Sequence, residues 1–204
     1  MSRDLAALAG QVLAVYERNA ARFDRERSRG LFERGWLDRF AALVPEGGRI
    51  LDVGCGTGAP IAAYLDGLGF AVTGVDGARA MIDMARERRP GGDWRVADMR
   101  GMELGERFDG VLAWDSFFHL TRDEQREVLP RLLAHLRPGG PLMLTVGPGE
   151  GEVAGRVGDE AVYHASLEGE DYAALLNAGG AEIVQFVVED PACEYHSVLL
   201  ARKR

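Results

Sequence analysis

The sequence predicts an α/β fold: a Rossmann-like, doubly wound, mostly parallel seven-stranded sheet with a C-terminal antiparallel hairpin and an N-terminal helical cap. Three observations predict it. From residue 49 onward short apolar runs alternate with helical stretches, the pattern of strands joined by crossover helices. The first run passes directly into Gly54-Cys55-Gly56-Thr57-Gly58, which opens the first of those helices. The last two runs are separated by residues 189–196 alone, too short a stretch for a helical crossover.

Taken in order, Leu5, Leu8, Val12, Leu13, Val15 and Tyr16 recur at mostly helical spacing and predict one amphipathic helix. Residues 17–39 interleave Glu17, Asp24, Glu26, Glu33 and Asp38 with arginines, and alternating signs read as solvated helix faces rather than a nucleic-acid stripe. Residues 1–44 are expected to form the cap or lid, and residues 45–204 one compact domain. Strands are expected at RILDV (49–53), AVTGV (71–75), WRV (94–96), FDGVLAW (108–114), PLMLTV (141–146), EIVQFVV (182–188) and SVLLA (197–201). Helices are expected over 58–68, 78–88, 122–136 and 167–178. The Gly-rich, charged run 148–160 reads as a flexible loop.

A chain of 204 residues, 47% hydrophobic and 27% charged, buries a substantial core without disulfide staples. Its 27 glycines show no collagen-like period and indicate many tight turns. The formal charge of −8 repels phosphate backbones and anionic lipid, so the expected partner is a small molecule, neither nucleic acid nor membrane. Cys55 and Cys193 stand alone, which disfavours a disulfide framework or a zinc knuckle and suits a reducing, cytoplasmic location. Arg3, Asp4 and Gln11 interrupt any signal-like apolar run, and no stretch approaches the roughly 18 apolar residues of a membrane span. No cluster has metal-ligand spacing, so no metal is expected, and nothing marks an oligomeric state.

Chemistry concentrates at Ile50–Gly58. Glycines permit a tight turn and close approach of backbone to ligand, and the following helix offers free N–H groups. Gly54, Gly56 and Ala59 also satisfy the dinucleotide fingerprint G-x-G-x-x-G/A, with Asp76 at about the distance of a ribose-binding carboxylate, so a nicotinamide oxidoreductase is the first alternative. Charge separates the two. Asp52 precedes the loop, Asp76 ends the second strand and Asp98 follows the third, so a parallel sheet carries all three to one crevice. Asp52 lies inside an apolar run, where an idle carboxylate is costly. A pyrophosphate would be repelled there, whereas S-adenosylmethionine, with its sulfonium, ammonium, ribose and adenine, finds each acid useful.

Together, LDVGCGTG, VTGVDGARAMIDMA, VADM, FDGVLAWDSFFHL and LRPGG resemble the class I S-adenosylmethionine-dependent methyltransferases, strongly over residues 45–146. WDSFFHL, YHASL and EDPAC resemble a group of small bacterial enzymes within that superfamily. The resemblance implies that Asp52 orders the methionine end of the cofactor and that Gly54, Cys55 and Gly56 pass their backbone beneath it. By the same likeness Asp76 accepts the ribose hydroxyls, Gly77 and Met81 flank the adenine, and Asp98 meets its amino group beside Met99. Ala113 and Trp114 would approach the methionine moiety, and Tyr16 would belong to a lid.

Methyl transfer from a sulfonium needs alignment and exclusion of water more than a catalytic group. Where the acceptor must lose a proton, His119 and Asp115, after the fourth strand, are the expected bases. Phe117, Phe118, Tyr163 and His164 are the expected acceptor contacts, the last two from a loop before the final helix. AWDS stands where adenine- and amide-directed enzymes carry [DN]-P-P-[YF], and no Pro-Cys nucleophile is present, so a small-molecule acceptor is expected. Because no residue is obligatory for this reaction, a non-catalytic cofactor-binding module is the second alternative.

Overall fold

The computed structural model describes residues 3–204. Three helices come first, α1 (Arg3–Ala9), α2 (Val12–Glu26) and α3 (Arg34–Ala41). The chain then alternates through β1 (Arg49–Val53), α4 (Ile61–Gly67), β2 (Ala71–Asp76), α5 (Arg79–Arg88) and β3 (Asp93–Val96). It continues with β4 (Gly110–Ala113), α6 (Arg122–Ala134), β5 (Pro141–Val146), β6 (Gly151–Val157) and β7 (Glu160–Ser166). The last elements are α7 (Gly169–Ala178), β8 (Ala181–Asp190) and β9 (His196–Lys203).

Seven strands form one sheet of order β3-β2-β1-β4-β5-β9-β8, parallel except for β9, which pairs antiparallel with β5 and β8. The continuous apolar runs follow from burial on both faces. Along β5, Leu142, Leu144 and Val146 pack with α6 and α7, while the intervening Met143 packs with α3 and α4. Thr121 and Glu124 close a capping box that starts α6. No helix among the described residues is long and apolar enough to cross a membrane.

Three expectations change. The run 148–160 is not a loop: β6 and β7 form a separate antiparallel hairpin, from Gly151 opposite Ser166 to Val157 opposite Glu160. Tyr163 and His164 therefore lie on a strand. The hairpin gains its apolar cover from far away in sequence, with Val157, Val162, Tyr163 and Ala165 packed against Val12, Val15 and Tyr16. The helix expected over 5–16 is two helices, broken at Gly10–Gln11, where the Gln11 N–H turns back to the Leu8 carbonyl. The stretch read as solvated faces also contributes core: Trp36, Leu37 and Phe40 of α3 are essentially inaccessible and pack beneath β1, β4 and β5.

Candidate active site

Because β1 neighbours both β2 and β4, the strand order reverses beside it, and a crevice opens at the carboxyl ends of these strands. Counting its open mouth, the empty space within it is about 930 Å³. Gly54, Gly56 and Gly58 turn the chain through left-handed φ values of 75°, 54° and 71°. The Gly54 and Cys55 N–H groups donate to the Val75 carbonyl at 2.8 and 3.0 Å, which ties the loop to β2. A Cβ on Gly54 would overlap Ser116, whose hydroxyl donates to the Val53 carbonyl at 2.7 Å.

Asp52 is buried on this crevice and its carboxylate has no hydrogen-bond or ion-pair partner among the described residues. Burial, followed by repulsion from Asp76, pushes it from the ordinary 3.8 up to about 7. Asp76 accepts from the Gly56 N–H at 3.0 Å and the Ala78 N–H at 2.8 Å. Burial nevertheless raises it to about 6, against the pull of those two bonds. Two adjacent carboxyls short of cationic partners make the floor of the crevice a trap for positive charge. Asp98 also faces it, paired with Arg100 at 3.3 Å, and Met81, Met99 and Gly77 complete the wall that starts there.

The other wall is α2. Leu13 packs so closely on Gly77 that a Cβ there would lie 2.6 Å from its Cδ2. Glu17 accepts from the Ala80 N–H at 3.0 Å, and Asp24 accepts from Thr57 Oγ1 at 2.6 Å and from Arg88. Tyr16 reaches across to His119, with 2.8 Å between its hydroxyl and Nε2. His119 Nδ1 lies 2.9 Å from the Tyr163 carbonyl and must donate to it, so Nε2 accepts the Tyr16 proton. Burial lowers His119 to about 4, which keeps the ring neutral. Both nitrogens are thus engaged, and His119 can act as a base only by releasing Tyr16.

Other expected residues are distributed unevenly. Trp114 and Asp115 line the crevice, as does Cys55, whose thiol burial pushes up and keeps protonated. Ala113 lies beneath the crevice in the core. Phe117 is also a core residue, completely buried and lining neither the crevice nor the groove beside it, because the short helical turn at 117–119 sends alternate side chains inward. Tyr163 buries its ring against Val12 and donates its hydroxyl to Glu152 at 2.8 Å, leaving its carbonyl as the working group. Phe118 and His164 pack together, with ring centres 4.7 Å apart, along a neighbouring groove.

Two residues escaped the sequence reading. Arg27 lines the crevice with its guanidinium on buried Glu33 at 2.6 Å and over the Phe32 ring. It was one arginine among seven in its stretch, with no local signal to single it out. His196, the first residue of β9, stacks on Trp114 and approaches Asp115.

A Rossmann-like sheet whose glycine loop is bordered by Asp52 and Asp76, with no cation among the described residues to neutralise them, resembles the class I S-adenosylmethionine-dependent methyltransferases. Residues 50–140 match the family described as methyltransferase domain. The S-adenosylmethionine-bound structure of CalS10, an amino pentose methyltransferase of Micromonospora echinaspora, is 26% identical, with a TM-score of 0.70 over 93% of this chain and 97% of that one. The dTDP-4-amino-2,3,4,6-tetradeoxy-D-glucose N,N-dimethyltransferase of Saccharopolyspora spinosa is 34% identical over 48% of this chain and 39% of its own length. A trans-aconitate 2-methyltransferase of Azoarcus sp. (strain BH72) is 34% identical over 60% of this chain and 47% of its own length. The chain spans about half the length of the curated relatives it matches.

Proposed function

We propose that this chain transfers a methyl group from S-adenosylmethionine to a small-molecule acceptor. The observation that carries the reading is the pair of buried Asp52 and half-buried Asp76 beside the glycine loop, with no neutralising cation among the described residues. That floor fits a ligand bearing ammonium, sulfonium and ribose, and opposes the pyrophosphate of a nicotinamide dinucleotide. When bound, the cofactor supplies a methyl group on a sulfonium whose leaving group is already activated.

The chain's own residues then have separable tasks. Asp76, held by two backbone N–H groups, presents its remaining lone pairs to the ribose hydroxyls. Asp52 receives the ammonium, and Arg27, pre-positioned by Glu33, receives the carboxylate of the methionine end. Met81, Asp98 and Met99 enclose the adenine. Helix α2 covers the crevice and excludes water, with Tyr16 fixed by neutral His119 at the wall. The fixed geometry supports in-line transfer without a dedicated base. The acidic net charge favours small acceptors over nucleic acid, and the two unpaired thiols suit a cytoplasmic location.

Thermal-shift titrations test the reading. S-adenosylhomocysteine should raise the melting temperature while NAD⁺ and NADH leave it unchanged, and Gly56→Val should abolish the shift in a protein folded by circular dichroism. A shift with the nicotinamide nucleotides alone would reject it.

A further inference from the structure

A second groove, of about 1200 Å³ with its open mouth, adjoins the cofactor crevice. One side is Phe118 and His164, the floor is the Gly147–Gly151 segment, and the other side is the β8–β9 corner, with Glu189 near the end of β8, Glu194 between the strands and His196 at the start of β9. The two cavities meet at Asp115. Asp115 lines the crevice, His196 lines the groove, and their Oδ1 and Nε2 atoms are 3.1 Å apart. The rings of Phe118, His119 and His164, with centres 4.7 to 4.9 Å apart, form the rest of the shared wall.

His196 Nδ1 lies 2.9 Å from the Cys193 carbonyl. Burial disfavours a charge on the ring, but Asp115 beside Nε2 and the backbone carbonyl at Nδ1 outweigh it and raise His196 above the ordinary histidine value. Asp115 Oδ1 is buried and off the line of a well-directed hydrogen bond, and Oδ2 has no hydrogen bond among the described residues. The backbone is strained at the same place: Asp115, Glu189, Glu194 and Tyr195 hold left-handed φ values of 48° to 59°.

Charge selects the occupant. Glu150, Glu189 and Glu194 line the groove, and no Lys or Arg among the described residues does. Glu150 is offset by Arg122, but neither Glu189 nor Glu194 pairs with a cation among the described residues. A phosphate or carboxylate on the acceptor would meet these acids, while His196 and Arg122 are already engaged by Asp115 and Glu150. We propose that the methyl acceptor is an unphosphorylated organic amine seated in this groove, with its nitrogen at Asp115, which His196 positions through Oδ1. This inference rests on the methyltransferase reading and narrows its substrate class.

The chemistry agrees with the charge. The amine enters as an ammonium and gives one proton to water. Its nitrogen lone pair then forms the N–C bond while the C–S bond breaks and its electron pair stays on sulfur, leaving a neutral thioether. The positive charge thus moves from sulfur to nitrogen, toward Asp115, so the carboxylate stabilises the transition state more than the neutral-amine complex from which transfer starts. A carboxylate or phenolate acceptor would lose its charge in the same step and gain nothing from Asp115.

Tyramine and 4-hydroxyphenylacetate, similar in shape and opposite in charge, provide the test. Calorimetry on the protein saturated with S-adenosylhomocysteine should show tyramine binding at least tenfold tighter than the acid, with loss of that preference in Asp115→Asn. The double variant Glu189→Lys, Glu194→Lys should reverse the order while homocysteine-nucleoside affinity stays unchanged. With S-adenosylmethionine, tyramine should yield S-adenosylhomocysteine. His196→Ala should lower kcat for tyramine more than it raises KM, a split that simple loosening of the turn does not produce. Equal or tighter binding of the acid, binding of neither compound, or turnover with a dTDP-amino sugar but not with tyramine would overturn the proposal. Failure to bind S-adenosylhomocysteine at all would instead overturn the methyltransferase reading beneath it.

Discussion

Asp52 has been taken out of water without receiving a counter-charge from any described residue, and half-buried Asp76 beside it also lacks one. A ligand cation would supply what is missing, so protonation and cofactor binding compete for the same oxygens. Affinity for S-adenosylmethionine should rise with pH through the range of about 6 to 7 that these two groups span, and binding below that range should release protons. Calorimetry in buffers of different ionisation enthalpy measures the release. Asp52→Asn should reduce it and weaken binding by about 10- to 100-fold, or roughly 1.4 to 2.8 kcal/mol. Binding that ignores pH in the native chain would show that these carboxyls do not meet the ligand.

His119 makes a different prediction at the same scale. Its ring is neutral above about pH 4 and both nitrogens are occupied, so it acts by holding Tyr16. His119→Gln, which can keep one of the two bonds, should retain more activity than His119→Ala. The pH profile of kcat should show no inflection near the ordinary histidine value of 6.5 that disappears with the substitution.

At the scale of elements, α2 is a strap tied down at both ends. Burial alone would raise Asp24, but bonds from Thr57, Arg88 and Arg29 overcome it and hold the carboxyl at about 2. Because that value lies below the ordinary 3.8, the stabilisation it contributes is present at neutral pH and lost only as pH falls through both values. Asp24→Ala should speed dissociation of S-adenosylhomocysteine by about tenfold in stopped-flow displacement, the effect of about 1.4 kcal/mol. An unchanged rate would mean that α2 does not gate the crevice.

The same scale explains what could be read from the sequence. The strands of the main sheet were legible because burial on both faces writes uninterrupted apolar runs, and the glycine loop because only a tight turn needs Gly54, Gly56 and Gly58 together. The hairpin β6–β7 was not. Its Val153 and Ala154 stay exposed and its cover comes from α1 and α2, more than a hundred residues away, so no local period marks it. Phe117 failed for a related reason: a one-residue phase in the turn after β4 decides between cavity and core, and neighbouring Phe118 took the groove. The groove itself draws on three separate segments, which left His196 looking like part of a connection.

For the whole molecule, raised carboxyl values mean that the folded form holds protons which the unfolded chain releases at about 3.8. The ligand-free protein should therefore lose the contribution of Asp52 and Asp76 as pH rises from about 4 to about 7, an effect of several kcal/mol at most. Melting curves compared between the native chain and Asp52→Asn should diverge across that window, with the variant more stable at its upper end. Saturating S-adenosylmethionine should close the gap by stabilising the native chain more. Removing the core contribution of α3 with Trp36→Ala should cost about 3–5 kcal/mol at any pH, since this side chain is essentially inaccessible and also donates to Asp190 at 2.8 Å.

The most direct test is a crystal structure with S-adenosylhomocysteine. It should show the ribose hydroxyls on the Asp76 carboxylate, the ammonium within hydrogen-bond distance of Asp52 or one water away, and the sulfur facing Asp115. A nucleoside lying elsewhere, or Asp52 and Asp76 left without contact to it, would contradict the assignment of this crevice.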